Sequence, residues 1–133
     1  MNLRLETVVL DSQGLSTWIS QERSTLAMIR SFHAMGADLV VCANTIIEVA
    51  HARVNTARLS WVLSQVKVEA VTEHAARSAV KLLKEAGLHG HKYAIDATVA
   101  ELALRQPGPV AMLTSDVDDM AKLCVNRIRL VEV

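Results

Sequence analysis

Short apolar runs rich in β-branched residues recur along this chain, separated by stretches with helical periodicity, and carboxylates stand where several of the runs end. T-V-V-L at Thr7–Leu10 closes on Asp11. L-V-V-C at residues 39–42 leads to Asn44, with Glu48 one helical turn further on. V-A-M-L at residues 110–113 follows the helix stop P-G-P and precedes T-S-D-V-D-D-M. Unbroken apolar runs of this length suit strands buried on both faces, as in a parallel sheet.

The intervening segments supply the crossovers such a sheet needs. Residues 15–19 and 26–35 read as helices, the second ended by Gly36. Two further helical stretches cover residues 45–52 and 57–66, and V-K-V-E-A-V at 66–71 alternates like a half-exposed strand. Thr72 suits a helix N-cap with Glu73 in the first turn; Ala75, Ala79, Leu82, Leu83 and Ala86 keep one apolar face, and Gly87 supplies the stop. L-H-G-H reads as a loop before a helix over residues 93–104, and a short helix at 117–123 precedes a last strand at 128–133. The alternation predicts an α/β class, with a mainly parallel central sheet flanked by helices in a single domain over residues 1–133. Right-handed crossovers align the C-terminal ends of parallel strands along one edge, where open α/β sheets place their sites.

That edge collects acids. Asp11 follows the first strand, Asp116 lies just past the fourth, Glu48 sits one turn into the helix after the second, and Asp119 shares a helical face with Asp116. Asp96 lies early in its helix among Ala94, Ile95, Ala97 and Val99, where an unpartnered carboxylate is costly. Taken singly, each has an ordinary explanation: Asp11 and Asp116 as helix caps, Asp119 in a capping-box position, Glu48 as a solvated helix residue. Taken together they crowd negative charge with no lysine or arginine beside them, which raises their pKa values unless a cation is bound. All-oxygen donors favour magnesium or manganese, and such an ion supports phosphodiester hydrolysis.

V-V-L-D-S at residues 8–12, N-T-I-I-E at 44–48, Y-A-I-D-A-T-V-A at 93–100 and L-T-S-D-V-D-D-M at 113–120, in this order and spacing, resemble the PIN-domain family of metal-dependent ribonucleases over nearly the whole chain. Size and layout are most similar to the stand-alone VapC-type toxins of prokaryotic toxin–antitoxin pairs. The resemblance implies an endoribonuclease in which Asp11, Glu48, Asp96 and Asp116, with Asp119 as a further acid, surround Mg2+ or Mn2+. It places Thr114 or Ser115 at a small hydroxyl position that orients water or phosphate, and leaves Asp118 facing solvent. It also implies RNA as substrate, a small antitoxin that inserts a segment toward the acidic edge, and a cytoplasmic location. Met120 departs from the phenylalanine or leucine of many relatives, a matter of packing.

Lysine plus arginine and aspartate plus glutamate stand at 14 each, so no broad basic field exists to bind nucleic acid non-specifically. Arg53, Arg58 and Lys92 are either local RNA contacts or, the weightier reading, ordinary salt-exposed surface. His89 and His91 lack a third ligand for zinc, and His51, three residues after Glu48, is either a proton shuttle at the site edge or a surface residue. Cys42 and Cys124 show no paired spacing and read as reduced core residues. Arg4, Glu6 and Asp11 interrupt any signal-like N-terminus, and no run approaches a membrane span. Half of the residues are hydrophobic, and a homodimer would cover a surplus apolar face. Two non-nuclease alternatives remain: a catalytically silent PIN-like binding or scaffold module, and a receiver-type phosphoacceptor. The latter wants paired acids at the first strand and a lysine after a late one, neither of which is present.

Overall fold

The computed structural model describes residues 4–133. The chain runs β1 (Thr7–Leu10), α1 (Ser12–Ile19), α2 (Arg23–Ala34), β2 (Asp38–Cys42), α3 (Ala43–Val49), α4 (Thr56–Ser64), β3 (Lys67–Glu69), α5 (Glu73–Ala86), α6 (Gly90–Leu104), β4 (Val110–Thr114), α7 (Val117–Leu123) and β5 (Arg129–Glu132). The strands form one sheet in the order β3-β2-β1-β4-β5, and every pairing is parallel. The expected α/β class is therefore observed, with the sheet parallel throughout.

Strand alternation sends side chains to two separate cores. Val8, Leu10, Leu39, Val41, Ala111 and Leu113 pack with α1 to α4 on one face. Val9, Val40, Cys42, Val110 and Met112 pack with α5, α6 and α7 on the other. Burial of both faces explains why β1, β2 and β4 read as unbroken apolar runs. The two cysteines lie buried as free thiols, as their isolation in sequence predicts.

The strand order reverses between β1 and β4. Chain direction moves outward from β1 through β2 to β3, then returns to the other side of β1, so crossovers leave the β1/β4 boundary in opposite directions. A crevice opens at such a reversal, at the carboxyl ends of the strands. Register puts Leu10 opposite Leu113, so Asp11 and Thr114 emerge side by side there.

Two local expectations are corrected. L-H-G-H is not wholly loop: His89 occupies the N-cap position and α6 begins at Gly90, with a kink at Tyr93 (φ −112°, ψ 18°). The alternating stretch at 66–71 yields only the three residues of β3, because only those pair with β2. No helix among the described residues is long and apolar enough to cross a membrane.

Candidate functional site

Asp11 is fixed first. Its amide donates to the Leu113 carbonyl at 3.1 Å, and its carboxylate accepts from the amides of Gln13 (2.9 Å) and Gly14 (3.0 Å), capping α1. A Cβ on Gly14 would stand 2.9 Å from the Leu113 carbonyl oxygen, so glycine is what lets α1 lie against the end of β4. Burial raises the Asp11 pKa, opposed by the neighbouring Thr114 hydroxyl and the two amides, with the Asp116 charge adding to the rise. The capping explanation for Asp11 is correct, and it leaves the residue at the strand edge all the same.

For Asp116 that explanation fails. It stands at the N-cap position of α7, yet its side chain makes no capping bond. Its amide instead donates to the Thr114 hydroxyl at 2.9 Å. The exposed carboxylate is left facing a shallow cleft shared with Ser115, Asp118, Asp119 and Glu132. Of the two hydroxyl candidates, Thr114 is fully buried between Asp11 and Asp116, while Ser115 is exposed.

Glu48 comes from α3, its pKa raised by burial and by the charges of Asp11 and Asp116, with the Ser12 hydroxyl at the start of α1 opposing the rise. Asp96 comes from α6, one turn beyond the kink. Burial raises its pKa to about 6, reinforced by the charges of Asp116, Glu48, Asp11 and Asp119. Each of the other four sequence-predicted acids thus acts on this one carboxyl. Asn44 Nδ2 donates to Thr98 Oγ1 at 3.4 Å, and Thr98 in turn donates to the Ile95 carbonyl at 2.7 Å, tying the start of α3 to the turn of α6 that carries Asp96.

Among the described residues, no three Asp, Glu, His or Cys side chains stand close enough to hold one ion between them. The carboxylates face one another at electrostatic range. This donor set suits magnesium, which takes one or two carboxylates and keeps much of its water, better than a fully dehydrated protein cage. His89 and His91 gain no third ligand.

Glu132 is an acid at this edge that the sequence does not flag. It ends β5 level with Thr114, a register invisible without the strand pairing. The three candidate cations separate. Arg58 donates to the carbonyls of Trp18 (3.3 Å) and Ile19 (3.5 Å) and lies 4.7 Å from the Trp61 ring centroid, which makes it a structural clasp between α1 and α4. Lys92 lies over Tyr93 at 5.2 Å. Arg53 is exposed, with no ion-pair partner among the described residues.

No family model matches the chain, and no curated protein matches it in sequence. In structure it is similar to a chain of VapBC2 from Rickettsia felis, crystallised bound to a DNA fragment from their promoter. The TM-score is 0.69 over 96% of this chain and 98% of the other, at 11% identity. The likeness is one of fold along essentially the full length of both, and that fold is PIN-like.

Proposed function

We propose that this protein is a metal-dependent endoribonuclease of PIN-like fold, acting as the toxin of a type II toxin–antitoxin pair. The observation that carries the reading is the position of Asp96, a carboxyl raised to about 6 with four other acids acting on it. Carboxylates so arranged repel one another, and a divalent cation relieves that repulsion.

In this reading Asp11, Glu48, Asp96 and Asp116, with Asp119 at the margin, surround Mg2+ or Mn2+, one or two of them bound to it directly and the rest through its water. The ion, when bound, makes water nucleophilic and neutralises charge on the phosphate under attack. Asp11 contributes an oxygen held in place by the α1 amides, and Thr114 orients the backbone entering Asp116. Ser115, exposed beside Asp116, would donate to a phosphate oxygen. Neither cysteine suits covalent catalysis: Cys124 is buried with its thiol pushed up to about 12, and Cys42 is buried against the sheet.

Partner expectations follow from the same reading. The VapBC2 neighbour supports an antitoxin, here one that reaches toward the acidic edge, and copurification on coexpression tests it. Exposed Ile47, Trp61 and Val80 supply apolar surface for a homodimer. A cytoplasmic location accords with an RNA substrate.

A silent binding module is favoured by one observation, the lack among the described residues of three donors close enough to share an ion. Incubation of the purified protein with pooled cellular RNA separates the two, using magnesium, manganese, chelator and Asp96→Asn in parallel. Cuts that need metal and vanish in the variant support the nuclease. Absence of cuts under every condition, with manganese still bound, supports the module.

A further inference from the structure

A cavity of about 200 Å³ opens on the α1 side of the acidic edge, between the second half of α1 and the loop joining α3 to α4. Two chain segments lead into it from the acids. Along α1, Ser12 lies beside Glu48, and Ser16 and Ser20 follow one and two turns later on the same stripe. From α3, Glu48 is followed by His51, Arg53 and Asn55. One helical turn advances about 5.4 Å, a displacement comparable to the step between consecutive phosphates of an extended single strand.

The polar lining consists of Ser16, Ser20, His51, Arg53 and Asn55, and no carboxylate lines the cavity. His51 Nδ1 accepts from the Arg53 amide at 3.1 Å, so the neutral imidazole carries its proton on Nε2. The His51 carbonyl accepts from the Val54 amide, also at 3.1 Å, which fixes the turn. Asn55 spends its Oδ1 on the Arg58 amide in capping α4, leaving its Nδ2 as a donor. Among the described residues the Arg53 guanidinium has no ion-pair partner, and unlike that of Arg58 it is not engaged by backbone carbonyls or a ring.

We propose that this cavity is a phosphate subsite for single-stranded RNA. It receives the phosphodiester next to the one held at the acids, with Arg53 as the principal contact and His51 and Asn55 as supporting donors. This rests on the nuclease reading for its substrate and on the cavity for its chemistry. Acids at one station and donors at the next give a strand a defined register: the scissile phosphate approaches through cations, its neighbour through the protein's own positive charge.

The test measures the dissociation constant of a short single-stranded oligoribonucleotide by fluorescence anisotropy over a salt series. It uses the full chain carrying Asp96→Asn, alone and combined with Arg53→Ala or with Lys84→Ala as a charge control on α5. The expected result is a weakening of about fivefold or more for Arg53→Ala, with the slope of log affinity against log salt shallower by about 0.7, the share of one phosphate contact. Lys84→Ala should change neither by as much. Equal losses in the two variants, no loss with Arg53→Ala, or no RNA binding at all would overturn the proposal. Steady-state cleavage with Asp96 intact separates the two readings: Arg53→Ala should raise KM with kcat retained. If no protein cleaves but binding still depends on Arg53, the nuclease reading falls and this one stands. If cleavage is normal in both kcat and KM, the reverse holds.

Discussion

The carboxylate of Asp11 accepts from two amides of α1 while burial at the strand edge opposes its charge. Substitution can part its capping role from its proposed cation-binding role. Asparagine caps a helix about as well as aspartate, whereas alanine forfeits roughly 0.5–2 kcal/mol. Both Asp11→Asn and Asp11→Ala should therefore abolish metal-dependent cleavage, but in urea unfolding only Asp11→Ala should lose stability. For Asp96 the effect on stability comes through its proton. Its folded pKa of about 6 lies above the ordinary 3.8, so the folded state holds this proton more tightly than the unfolded chain does. That contribution is complete below pH ~4 and disappears as pH rises through ~6. The shift corresponds to at most about 3 kcal/mol, and solvent screening of a partly exposed group reduces this to about 1–2. In chelator, Asp96→Asn should be about 1–2 kcal/mol more stable than the parent near neutrality and equal to it near pH 4, as read by denaturant titration at the two pH values. A neutral-pH loss of stability in this variant would show that the acids do not repel as described. These acids are readable in the sequence because each follows the end of a strand, lies in the helix that comes after one, or, as with Asp96, stands among apolar neighbours. Glu132 is not, since only its pairing level with Thr114 brings it to the cleft.

At the scale of elements, the seating of α1 decides whether Asp11 and Glu48 face the same space. Gly14→Ala would put a methyl group 2.9 Å from the Leu113 carbonyl oxygen and 3.0 Å from its Cβ, and backbone cannot yield as a side-chain tip can. We expect a loss of about 1–3 kcal/mol, typical of overpacking, with cleavage reduced beyond what unfolding explains. Gly90→Ala is the matched control. Its Cβ would meet only Leu83 Cδ1 at 3.6 Å, so thermal unfolding should register little change or a small gain. This seating was hidden in the sequence: S-Q-G lacks helical character, and the expected helix began only at residue 15. The structure starts α1 at Ser12 because the Asp11 cap satisfies the first amides. The same blindness hid the first turn of α6, where His89 makes no side-chain cap and Gly90 opens the helix. Buried strands, by contrast, were legible almost to the residue, because burial on both faces leaves a mark in composition that neither register nor capping contradicts. The α5 boundaries were legible for a related reason: Thr72 accepts from the Ala75 amide, and Gly87 takes the left-handed conformation that ends the helix.

Across the whole molecule the charges balance at 14 of each sign, yet the fold concentrates some of each sign locally. Acids gather at the β1/β4 edge, while His74, Arg77, Lys81 and Lys84 fall at helical spacing around a cleft on α5. The balance was plain from composition, but the segregation depends on which helix face each residue takes. Part of the positive charge is already committed, Arg77 to Glu73 at 2.8 Å and Lys67 to Asp38 at 2.9 Å. An RNA strand approaching the acidic edge therefore meets repulsion unless a cation intervenes, and few phosphates are neutralised by the protein itself. With about one such contact the salt slope for a single strand is about −0.7, so affinity should fall only about threefold between 50 and 200 mM salt. At constant ionic strength, magnesium should strengthen RNA binding by the parent protein, and chelator should reverse the gain. In Asp96→Asn the gain should be smaller, because one of the repelling charges that the ion offsets has gone. Anisotropy titrations over salt and over magnesium measure both quantities on the same samples. A steep salt dependence with no response to magnesium would place RNA on the basic face of α5 and away from the acids.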